Sequence, residues 1–172
     1  MILTGSAIEK AVSRGEIALS PFTRRNLNPN SYNFRLGAML KVSQGVTLST
    51  RQPVAWRSLT IPKEGLVLSP NKVYLGNTCE IIGSNHYVVT LMGRSSVGRL
   101  GLFVQLSADL GQLGTAHRWT LELHATQAVR VYSEMEIGQV CFWTALGAKD
   151  RYAGIYGQKN EPTEPQLDRL TL

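Results

Sequence analysis

The segment Gly93-Arg94-Ser95-Ser96-Val97-Gly98-Arg99-Leu100-Gly101 sets two arginines and two serines among glycines, between two apolar runs. Glycines let backbone amides approach an anion, hydroxyls add donors, and guanidinium groups give charge-assisted, bidentate contacts to phosphate. A P-loop needs Lys and then Ser or Thr after its second glycine, in a strand–helix setting. Here Arg99 and Leu100 follow Gly98, so that pattern fails. Two readings of the segment stay open: an anion site, or a Gly/Ser-rich connection with solvated arginines. If Ser95 to Arg99 forms a helical turn, the four-residue spacing places both on one face.

A second candidate lies in Trp119-Thr120-Leu121-Glu122-Leu123-His124. Strand alternation turns Trp119, Leu121 and Leu123 to the core and Thr120, Glu122 and His124 to the opposite face. A carboxylate partly withdrawn from water trades protons nearer neutrality, as general acid–base chemistry requires; an exposed strand carboxylate is the alternative. His86, His117, His124, Cys79 and Cys141 show no metal-ligand spacing, so no zinc site is expected, and the HxE…PCxxC signature of zinc nucleobase deaminases is absent. No GxSxG elbow accompanies His124, which argues against a Ser-His hydrolase.

The elements that must position these residues read as β-rich. The chain has 172 residues, 43% of them apolar and 17% charged, with 16 Gly and 7 Pro spread along its length, which fits one soluble domain of short segments and turns. Thr4 is placed to cap a helix carrying Ala7, Ile8, Ala11 and Val12, with Gly15 as its stop. Strands are predicted at Tyr32–Leu36, Ala38–Val42, Gly65–Leu68, Lys72–Asn77, Tyr87–Met92, Phe103–Leu106, Trp119–His124, Val129–Tyr132 and Ile137–Trp143. Turn formers gather at Asn26–Asn30, Ser69–Asn71, Gly83–Asn85 and Ser133–Glu136. This spacing fits a sandwich or jelly-roll barrel, with an irregular tail from about residue 147, where Gly154, Gly157, Pro162 and Pro165 break the alternation.

Net charge is +6, and the excess is confined to residues 1–62, where eight Lys/Arg face Glu9 and Glu16. A basic third can face a nucleotide, nucleic acid or an acidic partner, or be solvated surface. The basic residues are isolated apart from Arg24-Arg25, so no polynucleotide partner is expected. No apolar run is long enough to span a membrane and no leader pattern opens the sequence, so a cytoplasmic protein without a membrane partner is expected, with Cys79 and Cys141 as reduced core thiols.

Several segments, in order, resemble the dCTP deaminase family within the trimeric dUTPase-like superfamily. MILTGSAIEKAVSRGEI resembles its N-terminal helix, and Asn28-Pro29-Asn30-Ser31-Tyr32-Asn33-Phe34-Arg35-Leu36-Gly37 its NPxSYDLRLG segment, with Asn33 where Asp is usual. GRSSVGRLGLFV is the most specific match, followed at the family's spacing by WTLEL, by YSEMEIGQVCFW and by YAGIYGQKNEP, which resembles YxGKYxxQxGP. The resemblance implies a distorted jelly-roll (β-clip) barrel assembled as a homotrimer with active sites between subunits. It also implies zinc-independent hydrolytic deamination of a deoxycytidine nucleotide, dCTP to dUTP plus ammonia, with Mg2+ entering alongside the phosphates.

Carried over by position, the resemblance makes Glu122 the acid/base. Ser95 and the carbonyl of Ala108 would position water, Arg99 would hold the arrangement, and Arg94 and Ser96 would bind phosphates. Gln112, Tyr152, Tyr156 and Gln158 would complete nucleotide binding, with Lys159 as the alternative to Gln158 after a one-residue shift. Gln112 stands where the family has Asp before Pro-Gly, an Asp tied in bifunctional relatives to activating water for triphosphate cleavage; a neutral amide is no base, which disfavours a dUTP pyrophosphatase. Ile155 stands where the family has a phosphate-binding Lys. A non-catalytic or regulatory nucleotide-binding member is the remaining alternative.

Overall fold

The computed structural model describes residues 1–45, 47–105, 107–148 and 150–167. Helix α1 (Gly5–Ser13) opens the chain and buries Ile8 and Ala11, as its spacing predicts. Thr4 sits at the N-cap position but makes no side-chain cap bond; its Oγ1 pairs with Ser6 Oγ at 3.3 Å instead. The amide of Gly15 bonds the Val12 carbonyl and ends the helix.

The expected all-β architecture is present. The strands are β1 (Ile17–Ser20), β2 (Tyr32–Arg35), β3 (Met39–Gln44), β4 (Ala55–Thr60), β5 (Leu66–Leu68), β6 (Val73–Asn77), β7 (Ile81–Ser84), β8 (Tyr87–Gly93), β9 (Leu102–Val104), β10 (Leu110–Gly111), β11 (Thr115–His117), β12 (Thr120–Ala125), β13 (Val129–Val131) and β14 (Glu136–Thr144). They form antiparallel sheets ordered β4-β3-β6-β12-β9, β10-β8-β14-β2, β1-β7-β11 and β13-β5. Each of the nine predicted strands has a counterpart; Leu106, predicted to end one of them, lies outside the described residues. One core joins Phe34, Leu91, Val140 and Phe142 of the four-stranded sheet to Leu40, Val42, Leu121 and Leu123 of the five-stranded one. Burial of each such side chain contributes roughly 1.5–3 kcal/mol.

Two differences from the sequence reading have physical causes. Gly83 and Ser84 belong to β7 rather than to a turn, because a Cβ on Gly83 would lie 1.8 Å from the Thr115 carbonyl oxygen; the glycine lets β11 approach. The basic excess of the first third is met only in part from outside it, Arg35 pairing with Glu80 and Lys41 with Glu164, while Arg14 and Arg24 pair with the segment's own Glu16 and Glu9.

The Arg35–Glu80 pair locks β2 to the start of β7. Glu80 is fully buried, and its carboxylate accepts from the Arg35 backbone amide at 2.9 Å and from Arg35 Nε at 2.8 Å. Beside it, burial pushes the Cys79 thiol up to about 11, and its Sγ donates to the Leu36 carbonyl at 3.1 Å. Cys79 and Cys141 are both free. Removing one partner of a buried pair strands the other charge, so Glu80→Ala should cost roughly 3–5 kcal/mol in urea unfolding. A loss under about 1 kcal/mol would show that the pair does not hold this corner.

Candidate functional site

Glu122 is placed by strand periodicity. In β12, Leu121 and Leu123 are fully buried, which turns Thr120 and Glu122 to the other face. There they line a cavity of about 620 Å3. Pairing fixes the register from both sides, Glu122 opposite Leu75 of β6 and Leu123 opposite Val104 of β9. Ser107 Oγ donates to Glu122 Oε2 at 2.8 Å, leaving the other carboxylate oxygen for a ligand.

The walls are aromatic and aliphatic: Trp56, Trp119, Tyr152, Tyr156 and His117 together with Val73, Leu75 and Leu110. Trp119 reaches in because Gly111 makes room, since a Cβ there would meet Trp119 Cη2 at 2.5 Å. Its Nε1 donates to the Ile82 carbonyl at 2.8 Å, which fixes the ring. His117 lies against it with ring centroids 4.4 Å apart. Burial lowers the His117 pKa, against backbone contacts with Arg118 and Lys159 that raise it, and its Nδ1–H donates to the Arg118 carbonyl at 2.9 Å. Gln105, Ala108, Gln112, Thr115 and Lys159 add polar groups; Gln112 is exposed, with an amide free to donate and accept.

The segment after β14 closes one side. A 3-10 turn (Ile155–Gln158) interrupts an otherwise irregular course. Its hydrogen bonds go to the sheet: Tyr152 N to the Leu113 carbonyl at 2.8 Å, Asn77 Nδ2 to the Asn160 carbonyl at 2.9 Å, Arg118 N to Asn160 Oδ1 at 3.0 Å and Thr163 N to Thr120 Oγ1 at 3.1 Å. Lys41 pairs with Glu164 at 2.8 Å. Tyr156 and Lys159, three residues apart, share a face of the turn and line the cavity, whereas Gln158 is outside its lining. Ile155 is likewise outside the lining.

The GRSS segment stands elsewhere. Ser95–Gly98 form a single helical turn, α2, closed by a 3.0 Å bond from the Arg99 amide to the Ser95 carbonyl, so Ser95 and Arg99 do share a face. Yet Arg94, Ser95, Ser96 and Arg99 are all outside the lining of the Glu122 cavity within one chain. Ser95, Ser96 and Arg99 are exposed, and their side chains make no hydrogen bond or ion pair among the described residues. Arg94 is ion-paired with Glu136, which also accepts from Asn33 Nδ2 at 3.1 Å; Asn33 in turn accepts from Asn28 Nδ2 at 2.8 Å. This chain of polar contacts ties the NPNSYNFRLG segment to the GRSS turn. Leu100 and Phe103 beside the turn are 58% and 46% exposed. Among the described residues no group of three or more His, Cys, Asp or Glu is arranged to hold a metal ion, and no helix is long and apolar enough to cross a membrane.

Comparison with known proteins gives one consistent result. A family model described as dCTP deaminase-like matches residues 2–145. The chain is 42% identical over 167 residues to the dUMP-forming dCTP deaminase of Clostridium botulinum strain Alaska E43, covering 97% of this chain and 96% of that protein. It is 38% identical to the protein of the same description from Clostridium acetobutylicum, with 97% and 96% covered. A Rhodopirellula baltica protein described as dCTP deaminase is 40% identical, with 97% and 84% covered. The crystal structure of 2'-deoxycytidine 5'-triphosphate deaminase from Agrobacterium tumefaciens superposes on 84% of this chain with a TM-score of 0.67 at 17% identity, a likeness of fold; this chain spans 48% of that one.

Because the Asn160 side chain accepts from the Arg118 amide, Asn160→Ala should speed amide exchange across residues 152–163 and at Arg118, the backbone bond to Asn77 being kept. Unchanged exchange would show that the closing segment is held by other contacts.

Proposed function

The chain belongs to the dCTP deaminase-like family, and on that premise we propose that it deaminates dCTP hydrolytically. The observation that carries the reading is a carboxylate, Glu122, projecting from the middle of a rigid strand into a cavity walled by aromatic rings and polar amides. Such a cavity suits a pyrimidine: flat apolar faces sandwich the ring while amides and hydroxyls read its edges.

In the proposed reaction Glu122 takes a proton from water as the oxygen attacks C4 of cytosine. It delivers that proton to ring N3 as C4 becomes tetrahedral. A second proton passes from the new C4 hydroxyl to the amino group, ammonia leaves, and C4 becomes the uracil carbonyl. The Ala108 carbonyl and Ser95 hold the attacking water, Arg99 braces the arrangement, and Arg94 and Ser96 take the phosphates. Arg94 keeps guanidinium donors beyond those given to Glu136. Gln112, Tyr152 and Tyr156 contact the nucleotide, and Lys159 supplies the tail cation in place of Gln158. Mg2+ would accompany the nucleotide and offset the charge of its phosphates beside Arg94 and Ser96. The chemistry is assigned to Glu122 and not to zinc, since the described His and Cys side chains offer no donor set. The free thiols Cys79 and Cys141 suit a reducing, cytoplasmic setting.

A homotrimer with sites between subunits is part of the proposal. Its support is the split just described: Ser95 and Arg99 lie outside the cavity, exposed beside Leu100 and Phe103, so a second copy must bring them to Glu122.

The product is proposed to be dUTP, because Gln112 cannot deprotonate a water for triphosphate cleavage. A second reading, cleavage onward to dUMP, is favoured by the description of the Clostridium relatives as dUMP-forming. Chromatography of products from dCTP and Mg2+, with enzyme stripped of zinc by a chelator, decides. The expectation is dUTP and ammonia with little pyrophosphate, and a loss of turnover of roughly 10²–10⁴-fold in a folded Glu122→Gln protein, as for removal of a positioned acid–base group. Pyrophosphate release at the rate of deamination would establish the dUMP-forming reading. Absence of deamination by the wild-type protein would establish a non-catalytic nucleotide-binding member.

A further inference from the structure

Gln105 follows β9 directly and has a backbone φ of 59°, in the left-handed region that Gln seldom adopts. Such a conformation persists where surrounding contacts over-determine it, and here those contacts converge on Glu122. Antiparallel partners in a hydrogen-bonded pair exchange two backbone bonds. The Gln105 amide supplies the first, donating to the Glu122 carbonyl at 3.1 Å. The second is not made by backbone: the Glu122 amide donates to the side-chain Oε1 of Gln105 at 3.2 Å. The left-handed turn takes the chain out of the ladder while the side chain takes the place of the missing carbonyl.

The other end of the same amide reaches back to the departing chain. Gln105 Nε2 donates to the Ala108 carbonyl at 3.2 Å. A carbonyl oxygen has two lone pairs, so this bond leaves one for a water. Between them Ser107 Oγ holds the Glu122 carboxylate at 2.8 Å. One side chain therefore spans the backbone of Glu122 and the carbonyl of Ala108, and the turn it shapes delivers the hydroxyl that orients the carboxylate.

We infer that Gln105 is a positioning residue, its amide setting the distance between Glu122 and the Ala108 carbonyl, with Ser107 as the group through which the turn orients the carboxylate. The inference rests on the reading of Glu122 as the acid/base of dCTP deamination. Glycine at 105 suits the left-handed backbone and removes both side-chain bonds; asparagine also tolerates that backbone but is one methylene too short to span both partners.

The test measures kcat and KM for dCTP, with melting temperatures, for wild type, Gln105→Gly, Gln105→Asn, Ser107→Ala, Ser107→Thr and Glu122→Gln. Misplacement of reacting groups by about an ångström costs up to roughly a hundredfold. Gln105→Gly and Gln105→Asn are expected to lose at least about tenfold in kcat, with KM within about threefold and melting temperature nearly unchanged. Ser107→Ala should lose kcat similarly and Ser107→Thr, which keeps the hydroxyl, should retain it. A kcat within twofold of wild type in either Gln105 variant, with Glu122→Gln inactive, overturns this inference alone. Wild-type turnover by Glu122→Gln would overturn the reading of the site and this inference with it.

Discussion

The site depends on one constraint: β12 is paired on both edges, by β6 and β9, and buries Leu121 and Leu123. A strand held this way cannot slip by one residue without carrying its apolar side chains into the cavity and its carboxylate into the core. Glu122 therefore stands on a fixed face at a fixed height, opposite Leu75. The surrounding elements follow from it. Gln105 leaves the sheet against the Glu122 backbone, Ser107 meets its carboxylate, and the closing segment uses Thr120, next on the same face, as an anchor.

A second feature is division of the chemistry between surfaces. The backbone of the GRSS turn is anchored by the buried Val97, and Arg94 is tied through Glu136 to Asn33. The arginines and serines of the turn stand outside the cavity that holds Glu122. If Glu122 is the acid–base group and the GRSS turn supplies the phosphate donors, as proposed, the site is incomplete in one chain. On the proposed reading, assembly is a condition for catalysis, with the exposed Leu100 and Phe103 as apolar surface for it to bury.

Much of this was legible in the sequence where local pattern decides. The alternation of Trp119 to His124 placed Glu122 on its face, β-branched and aromatic runs marked the nine expected strands, and the four-residue spacing of Ser95 and Arg99 marked one turn. Among the described residues five strands escaped, two of them for identifiable reasons. The Ala55–Thr60 strand is an edge strand largely exposed on both faces, so it has no apolar stripe, and Gly83 in β7 serves close backbone approach where glycine ordinarily signals a turn. Roles made by distant contacts left no local trace. Nothing in the sequence joins Arg94 to Glu136, Asn160 to Asn77, or Gln105 to the backbone of Glu122; Gln105 fell inside the predicted strand Phe103–Leu106 and Ser107 in no predicted element. The clue that was available for Ser107 was its place between apolar residues, one residue before the matched Ala108.

The account's central claim is that Glu122 of one subunit works with Ser95 of another. Its most direct measurement is complementation between inactive proteins: Glu122→Gln and Ser95→Ala subunits are co-expressed, separated by distinct tags, and assayed for dCTP deamination as mixed assemblies of defined composition. An assembly containing both kinds of subunit has an interface where an intact Glu122 meets an intact Ser95. The account predicts that mixed assemblies recover a substantial fraction of the wild-type rate per assembly while each parent stays inactive. Mixed assemblies as inactive as their parents would contradict it, placing both residues in the site of a single chain.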